Sequence, residues 1–208
     1  MLQVQTFKNF PVDSNCYVIY LATSNQCIIV DPGFEDASVL IGFLDSNGLE
    51  PSFIFLTHEH FDHVWGVKHL IQQFSVKVFC SKDCSAAITD PKKNLSVFYS
   101  QNAFTLNQAD RLFLKQHERV EWNGMNLNFY HTPGHTKGSM CMSIENFLFS
   151  GDTILGNLKT ITKLPGGSKL ALKESIDYLF TEIKKEYNIM PGHGEPFLLE
   201  SFSLSTIL

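Results

Sequence analysis

From Leu2 to Val30 the apolar residues fall in short runs with the period of strands, separated by clusters of turn-forming residues. Residues 2–7, 16–22 and 26–31 alternate or run apolar with β-branched content, and Thr23-Ser24-Asn25 supplies a turn, so the chain is predicted to open on a strand meander. Asp31-Pro32-Gly33 ends it. Residues 36–46 then carry Val39, Leu40, Phe43 and Leu44 at helical spacing, and Asn47-Gly48 offers a left-handed stop. A strand over 53–57 completes a β-α-β passage. A helix is expected from Asp62 to about Phe74, a strand over 76–80, and a short helix capped by Ser81 and running through Ile88. Residues 89–110 show no dependable period and are expected to form a loop near the site.

The second part of the chain repeats the sequence of strands followed by a helix. Residues 119–122 and 125–130 flank Asn123-Gly124, a pair suited to the primed turn of a hairpin. Strands are expected over 139–144 and 147–149. A long amphipathic helix follows from Ser168 to about Tyr187, with Leu172, Ile176, Leu179 and Ile183 on one stripe, and then a short strand at 188–190. Two similar halves would give this order, although no internal repeat is visible in the residues themselves.

The 208 residues, 44% of them hydrophobic, suffice for one domain with a large core. The 18 phenylalanines against 18% charged residues imply sheets buried on both sides. A net charge of −5 provides no basic stripe for a phosphate backbone, so nucleic acid is not an expected partner. The N-terminus lacks the pattern of a signal peptide, and no apolar run is long enough for a membrane span, which predicts a cytoplasmic protein without a membrane partner. Five scattered cysteines fit reduced core thiols better than a disulfide framework, and Cys80 and Cys84 make too weak a pair for a metal site.

The chemistry is concentrated in Thr57-His58-Glu59-His60-Phe61-Asp62-His63, where three imidazoles and a carboxylate directly follow the apolar run 53–56. His58 and His60 have the two-residue spacing that places side chains on one side of an extended segment, so both can reach a single ion. Asp62 and His63 turn towards a neighbouring position. Any one of these residues has an ordinary explanation, Asp62 as a helix N-cap for instance, but four at this spacing would crowd polar groups at a strand end without a metal. Further candidates leave other predicted strand ends: His135 in Pro133-Gly134-His135, Asp152 in Ser150-Gly151-Asp152, and His193 in Pro191-Gly192-His193.

Taken together, these motifs resemble the metallo-β-lactamase superfamily, which has H-x-H-x-D-H, a later Pro-Gly-His, a Ser-Gly-Asp and a final Gly-His in this order. The resemblance runs from Asn15-Cys16-Tyr17 and Asp31-Pro32-Gly33 to His193. It implies a four-layer αββα sandwich of class α/β, with two mixed sheets face to face and helices outside. It also implies that His58, His60 and His135 hold one metal ion while Asp62, His63 and His193 hold a second, with Asp152 bridging and Asp31 in support. His58, His60 and Asp62 would stand as the catalytic residues of the motif. Two Zn2+ ions suit these donors, with iron or manganese as alternatives. A hydroxide between two cations is a nucleophile near neutral pH. His69, His117 and His131 fall outside the pattern.

Within the superfamily, Asp152 stands where zinc β-lactamases carry Cys or Ser, and His60 where the flavodiiron branch has Glu. RNA-processing branches carry extra arms that 208 residues hardly accommodate. The chain is most similar to short members of the glyoxalase II group, which implies hydrolysis of a hydroxyacyl thioester. Leu164-Pro165-Gly166-Gly167 matches that group, whereas Ile161 and Lys163 stand at its Arg and Asp positions and Glu195 at its Tyr position. Those positions help hold glutathione in the group, so the thiol of the substrate stays open. Lys159 and Lys163 read as solvated loop residues. The alternatives are a persulfide dioxygenase with one iron on His58, His135 and Asp152, a lactone or other ester hydrolase on the same site, and a metal-bearing scaffold that would be expected to lose ligands. The partner in the leading reading is a small-molecule thioester or ester.

Overall fold

The structure is a computed structural model that describes residues 1–99 and 103–201. The first sheet comprises Leu2–Lys8 (β1), Asn15–Leu21 (β2), Gln26–Val30 (β3), Glu50–Phe55 (β4), Lys77–Ser81 (β5) and Arg111–Phe113 (β6), hydrogen-bonded in that order. The second comprises His117–Trp122 (β7), Met125–His131 (β8), Met140–Ile144 (β9), Phe147–Gly151 (β10), Asn188–Pro191 (β11) and Phe197–Leu198 (β12), also in chain order. Each sheet mixes directions: β3 to β6 run parallel after an antiparallel start, and in the second sheet β10 and β11 are the parallel pair. Helices Ser38–Asn47 (α1), Phe61–Val64 (α2), Val67–Phe74 (α3) and Lys82–Ala87 (α4) belong to the first half, and Lys169–Glu182 (α5) to the second.

Period-two alternation within strands builds the layers. On β3, Cys27 and Ile29 pack with Leu40, Leu44 and Leu70 of α1 and α3, whereas Ile28 and Val30 point into the space between the sheets. That middle space is filled by Tyr17, Phe53, Phe55, Phe129, Phe149 and Met142. On the far side of the second sheet, Leu148 and Ile189 meet Leu172, Ile176 and Leu179 of α5. The result is the expected αββα sandwich. Asn123 and Gly124 both have positive φ, 50° and 76°, as the primed turn between β7 and β8 requires. All five cysteines are free and buried. No helix among the described residues is long and apolar enough to cross a membrane.

Most expected elements agree within a residue or two at their ends, and four departures are informative. The strand expected at 53–57 runs from Glu50 to Phe55, so Thr57 to His60 form a loop at its tip rather than its last residues. The single helix expected from Asp62 to Phe74 is two helices, and Asp62 is not the N-cap, a position held by His60. A continuous helix would have Gly66 N–H donate to the Asp62 carbonyl. Gly66 N instead donates to Pro32 O at 2.8 Å, while the Asp62 carbonyl accepts from Asn9 Nδ2 and Ser14 Oγ. Ser168, expected as the first helical residue, is the N-cap of α5, and the helix expected to reach about Tyr187 stops at Glu182 because Ile183 turns extended, at φ −110° and ψ 154°, still burying its side chain with the α5 stripe. β6 and β12 were not foreseen; at three and two residues they carry too little pattern to read. The expected loop 89–110 is irregular apart from a 3-10 turn at Ser96–Phe98, and its residues 100–102 lie outside the described ones.

Candidate metal centre

Parallel strands end with their carbonyl edges facing one way, so the segments leaving them converge at one rim of the sandwich. The loop after β4 brings His58 and His60, α2 brings Asp62 and His63, the turn after β8 brings His135, the end of β10 brings Asp152, and the turn after β11 brings His193. Six of these seven fall into two trios whose ligand atoms lie within 4.8 Å of one another: His58, His60 and His135, and Asp62, His63 and His193.

In the second trio, His193 Nε2 lies 3.4 Å from His63 Nε2 and 3.3 Å from Asp62 Oδ2, and His63 Nε2 is 3.7 Å from the same oxygen. Two donors held about 2.1 Å from one tetrahedral ion are about 3.4 Å apart, so this spacing fits a common cation. In the first trio, His135 Nε2 and His60 Nδ1 are 2.9 Å apart. Asp152 faces both groups, with Oδ2 at 3.6 Å from His135 Nε2 and from His193 Nε2, and Oδ1 at 3.7 Å from His63 Nε2. Gly192 permits this approach, because a Cβ there would collide with Asp152 Oδ1.

Four of the five imidazoles are oriented from behind. His63 Nδ1 lies 2.9 Å from Asp31 Oδ2, His135 Nδ1 2.7 Å from Ile161 O, His193 Nδ1 2.8 Å from Asp13 O, and His58 Nδ1 3.0 Å from Thr57 Oγ1. Such outer contacts fix which nitrogen faces the centre. Among the described residues, His58 Nε2 and Asp152 Oδ1 are buried without a hydrogen-bond partner. Each such atom costs about 1–3 kcal/mol if nothing meets it, so both fit a site built for a cation. Divalent metal ions suit this donor set of neutral imidazoles and carboxylates.

Burial, reinforced by the neighbouring His63 and His135, holds His58 well below the ordinary imidazole range, and burial holds His60 at about 3. Burial alone would also lower His63, but Asp62, Asp31 and Asp152 lift it to about 10. Asp62 is held below the usual carboxylate range by His63 and His193, against its burial. His58 and His60 are therefore neutral ligands, whereas Asp62 and His63 form an ion network.

The residues set aside lie elsewhere. His117 stacks on Tyr130 at 4.8 Å, His131 Nε2 contacts the Lys137 carbonyl at 3.1 Å, and His69 is exposed. Lys159, Lys163 and Glu195 are exposed. Asn9, Asp13, Ser14 and Thr136 carry no ligand signature in the sequence, and only their contacts show that they support the cluster. Glu59 carried a weak signal, an acid between two histidines; its Oε2 accepts from Thr136 Oγ1 at 2.9 Å.

This sandwich, with its ligand cluster at one rim, is that of a known family. The chain belongs to the metallo-beta-lactamase superfamily, whose family model matches residues 9–193. It is 28% identical over 192 residues to a probable metallo-hydrolase of Bacillus subtilis, covering 88% of this chain and 86% of that one. It is 32% identical over 147 residues to the hydroxyacylglutathione hydrolase of Klebsiella pneumoniae, covering 70% of this chain but 50% of that protein. Among solved structures, the BLEG-1 B3 metallo-beta-lactamase is 30% identical, with a TM-score of 0.87 and 95% of both chains covered.

Proposed function

We propose that this protein is a dinuclear zinc hydrolase that cleaves a small thioester of the hydroxyacyl-thiol kind. His58, His60 and His135 would hold one ion, Asp62, His63 and His193 the other, and Asp152 would span them. The observation that carries the reading is the position of Asp152, whose carboxylate lies within 3.7 Å of imidazoles from both trios. Bound there, the cations would supply Lewis acidity and bring the pKa of water at the centre towards about 7.

The chain's own residues contribute orientation and electrostatics. Asp31, Thr57 and the Asp13 and Ile161 carbonyls hold His63, His58, His193 and His135 with one nitrogen each turned inward, so these four ligands require little rearrangement. Asp62, Asp152 and Asp31 set three carboxylates among five imidazoles, which offsets three of the four positive charges of two divalent ions. The partial likeness to hydroxyacylglutathione hydrolase supports a thioester substrate. Exposed Ile161 at the position where that group has a basic residue argues against a glutathione carboxylate docking there.

The test is turnover of S-lactoylglutathione and a panel of acyl thioesters by the zinc-loaded protein, with loss in His58→Ala and Asp152→Ala. A zinc-loaded protein that cleaves no thioester or ester would sink the reading. The likeness to BLEG-1 favours a second reading, β-lactam hydrolysis at the same centre, and a chromogenic cephalosporin in the same panel separates the two. Elemental analysis that returns one iron per chain, with thiol-dependent oxygen uptake, would point instead to a dioxygenase.

A further inference from the structure

The turn between β1 and β2 is short, leaves Phe10, Pro11 and Asp13 exposed, and buries Asn9 and Ser14 against one half of the centre. Asn9, Ser14 and Asn15 are 4%, 0% and 0% exposed. Ser14 Oγ and Asn9 Nδ2 both donate to the Asp62 carbonyl. Asn9 Nδ2 also reaches Asp31 O at 3.2 Å, and its Oδ1 accepts from Gly33 N at 3.1 Å, at a point where a Cβ on Gly33 would collide with the Asp62 carbonyl. Asp31 is the carboxylate behind His63. The Asp13 carbonyl meets His193 Nδ1, and Asn15 holds the His193 turn from three sides: its N–H donates to Gly192 O at 2.7 Å, and Nδ2 donates to Pro191 O and Gly194 O at 2.9 and 2.8 Å. Among the described residues, no hydrogen bond from residues 9–15 reaches His58, His60 or His135. Those three are tied together separately, by Thr136 donating to Glu59 between His58 and His60.

We propose that the turn 9–15 is a positioning device for the second trio, acting through the Asp62 carbonyl and the His193 turn with Asn9 and Ser14 as its key residues, and that it decides whether the centre carries one metal ion or two. The inference rests on the dinuclear reading above. Its physical basis is competition for one carbonyl. Asp62 O is the natural acceptor for Gly66 N–H in a continuous helix, and the clamp from Asn9 and Ser14 keeps it occupied, which holds the break after Val64 and the rotation of Asp62 towards His193. Without the clamp, Gly66 N–H exchanges its bond to Pro32 O for that acceptor, the helix closes, and Asp62 leaves its place beside His193. The first trio keeps its geometry through Glu59 and Thr136.

The experiment measures zinc content after dialysis against zinc, together with a cobalt(II) titration followed by visible absorption, on wild type, Ser14→Ala, Asn9→Ala and Thr136→Val. Circular dichroism reports folding in each. Wild type is expected to hold two equivalents. Ser14→Ala and Asn9→Ala are expected to hold one, the second binding step weakened about 10–100-fold and the first unchanged. Thr136→Val should weaken the first step instead. Because Asn9 makes several buried contacts, Ser14→Ala, which loses one hydroxyl, is the deciding variant. Two equivalents with unchanged affinity in Ser14→Ala, or equal weakening of both steps, would overturn the proposal. A wild type that binds fewer than two equivalents would overturn the dinuclear reading itself, and is told apart because it needs no variant.

Discussion

Asp31 Oδ2 lies 2.9 Å from His63 Nδ1, and both residues are almost fully buried. The same carboxylate accepts from Thr57 N–H at 2.8 Å and Thr57 Oγ1 at 2.6 Å, and Thr57 Oγ1 in turn lies 3.0 Å from His58 Nδ1. One side chain therefore orients an imidazole in each trio. Asp31 itself has a φ of 51°, uncommon for a residue with a Cβ, which the surrounding contacts hold in place. Asp31→Ala leaves buried His63 without its hydrogen-bond partner at Nδ1 and without one of its three neighbouring carboxylates. The metal-free fold should lose on the order of 3 kcal/mol in a urea titration. Zinc affinity, measured by competition with a chelator, should fall about 10–100-fold.

The two trios should differ in the protons they release. In the metal-free protein His58 and His60 are held neutral, whereas His63 is lifted to about 10 and His193 is also raised, mainly by its hydrogen bond to Asp62 against the effect of burial. Ligands must be deprotonated to bind, so filling the second trio at pH 8 expels the proton held on His63, whereas His58 and His60 have none to release. A zinc titration in dilute indicator should show acid release with one equivalent and little with the other. The sign for stability follows: His63, raised above its ordinary 6.5, stabilises the metal-free fold fully below that pH, and the contribution disappears as pH rises through about 10. Metal-free protein that gained stability over this range would contradict the assignment.

The ligands were legible because seven residues of metal-binding type stand directly after apolar runs, and a strand end is where side chains leave a sheet into shared space. The four-layer arrangement was legible for a related reason: β2, β3 and β4 are apolar on both faces, which requires cover on each side. What could not be read is long-range and polar. The break between α2 and α3 depends on Asn9 and Ser14, about fifty residues earlier, capturing a carbonyl that local periodicity assigns to Gly66. No pattern within 61–74 announces it, since Val64, Val67 and Leu70 keep their helical spacing across the break and all reach the same core. The edge strands β6 and β12 are likewise defined by their neighbours rather than by their own residues.

Gly192→Ala tests the closeness of the two halves of the centre. A Cβ at this position would overlap Asp152 Oδ1 and lie 2.8 Å from His63 Cε1. Neither can retreat freely, because Asp152 is 8% exposed and His63 is held by Asp31. Displacement of about 1 Å at reacting groups costs about 100-fold in rate. Thioester turnover should fall by about that factor or more, with a zinc equivalent lost from the centre, while far-UV circular dichroism is unchanged.

Phe129 separates the stability of the sandwich from the stability of the metal site. It is fully buried on β8, its ring 4.1 Å from that of Phe113 and 5.2 Å from that of Phe55, so it joins the second sheet to the first across the middle layer. Phe129→Ala opens a cavity between two sheets whose other contacts prevent collapse, and the expected loss is about 3–5 kcal/mol. Phe129 packs within the middle layer and contributes no ligand to either trio. The loss should therefore be the same in zinc-loaded protein and in protein unfolded in the presence of a chelator. His58→Ala should behave in the opposite way, weakening the loaded protein through lost zinc linkage and leaving the metal-free fold little changed. Urea unfolding of both variants with and without chelator makes the comparison. A Phe129→Ala penalty that disappeared once zinc was removed would mean that the two sheets are held together by the metal centre rather than by the aromatic layer between them.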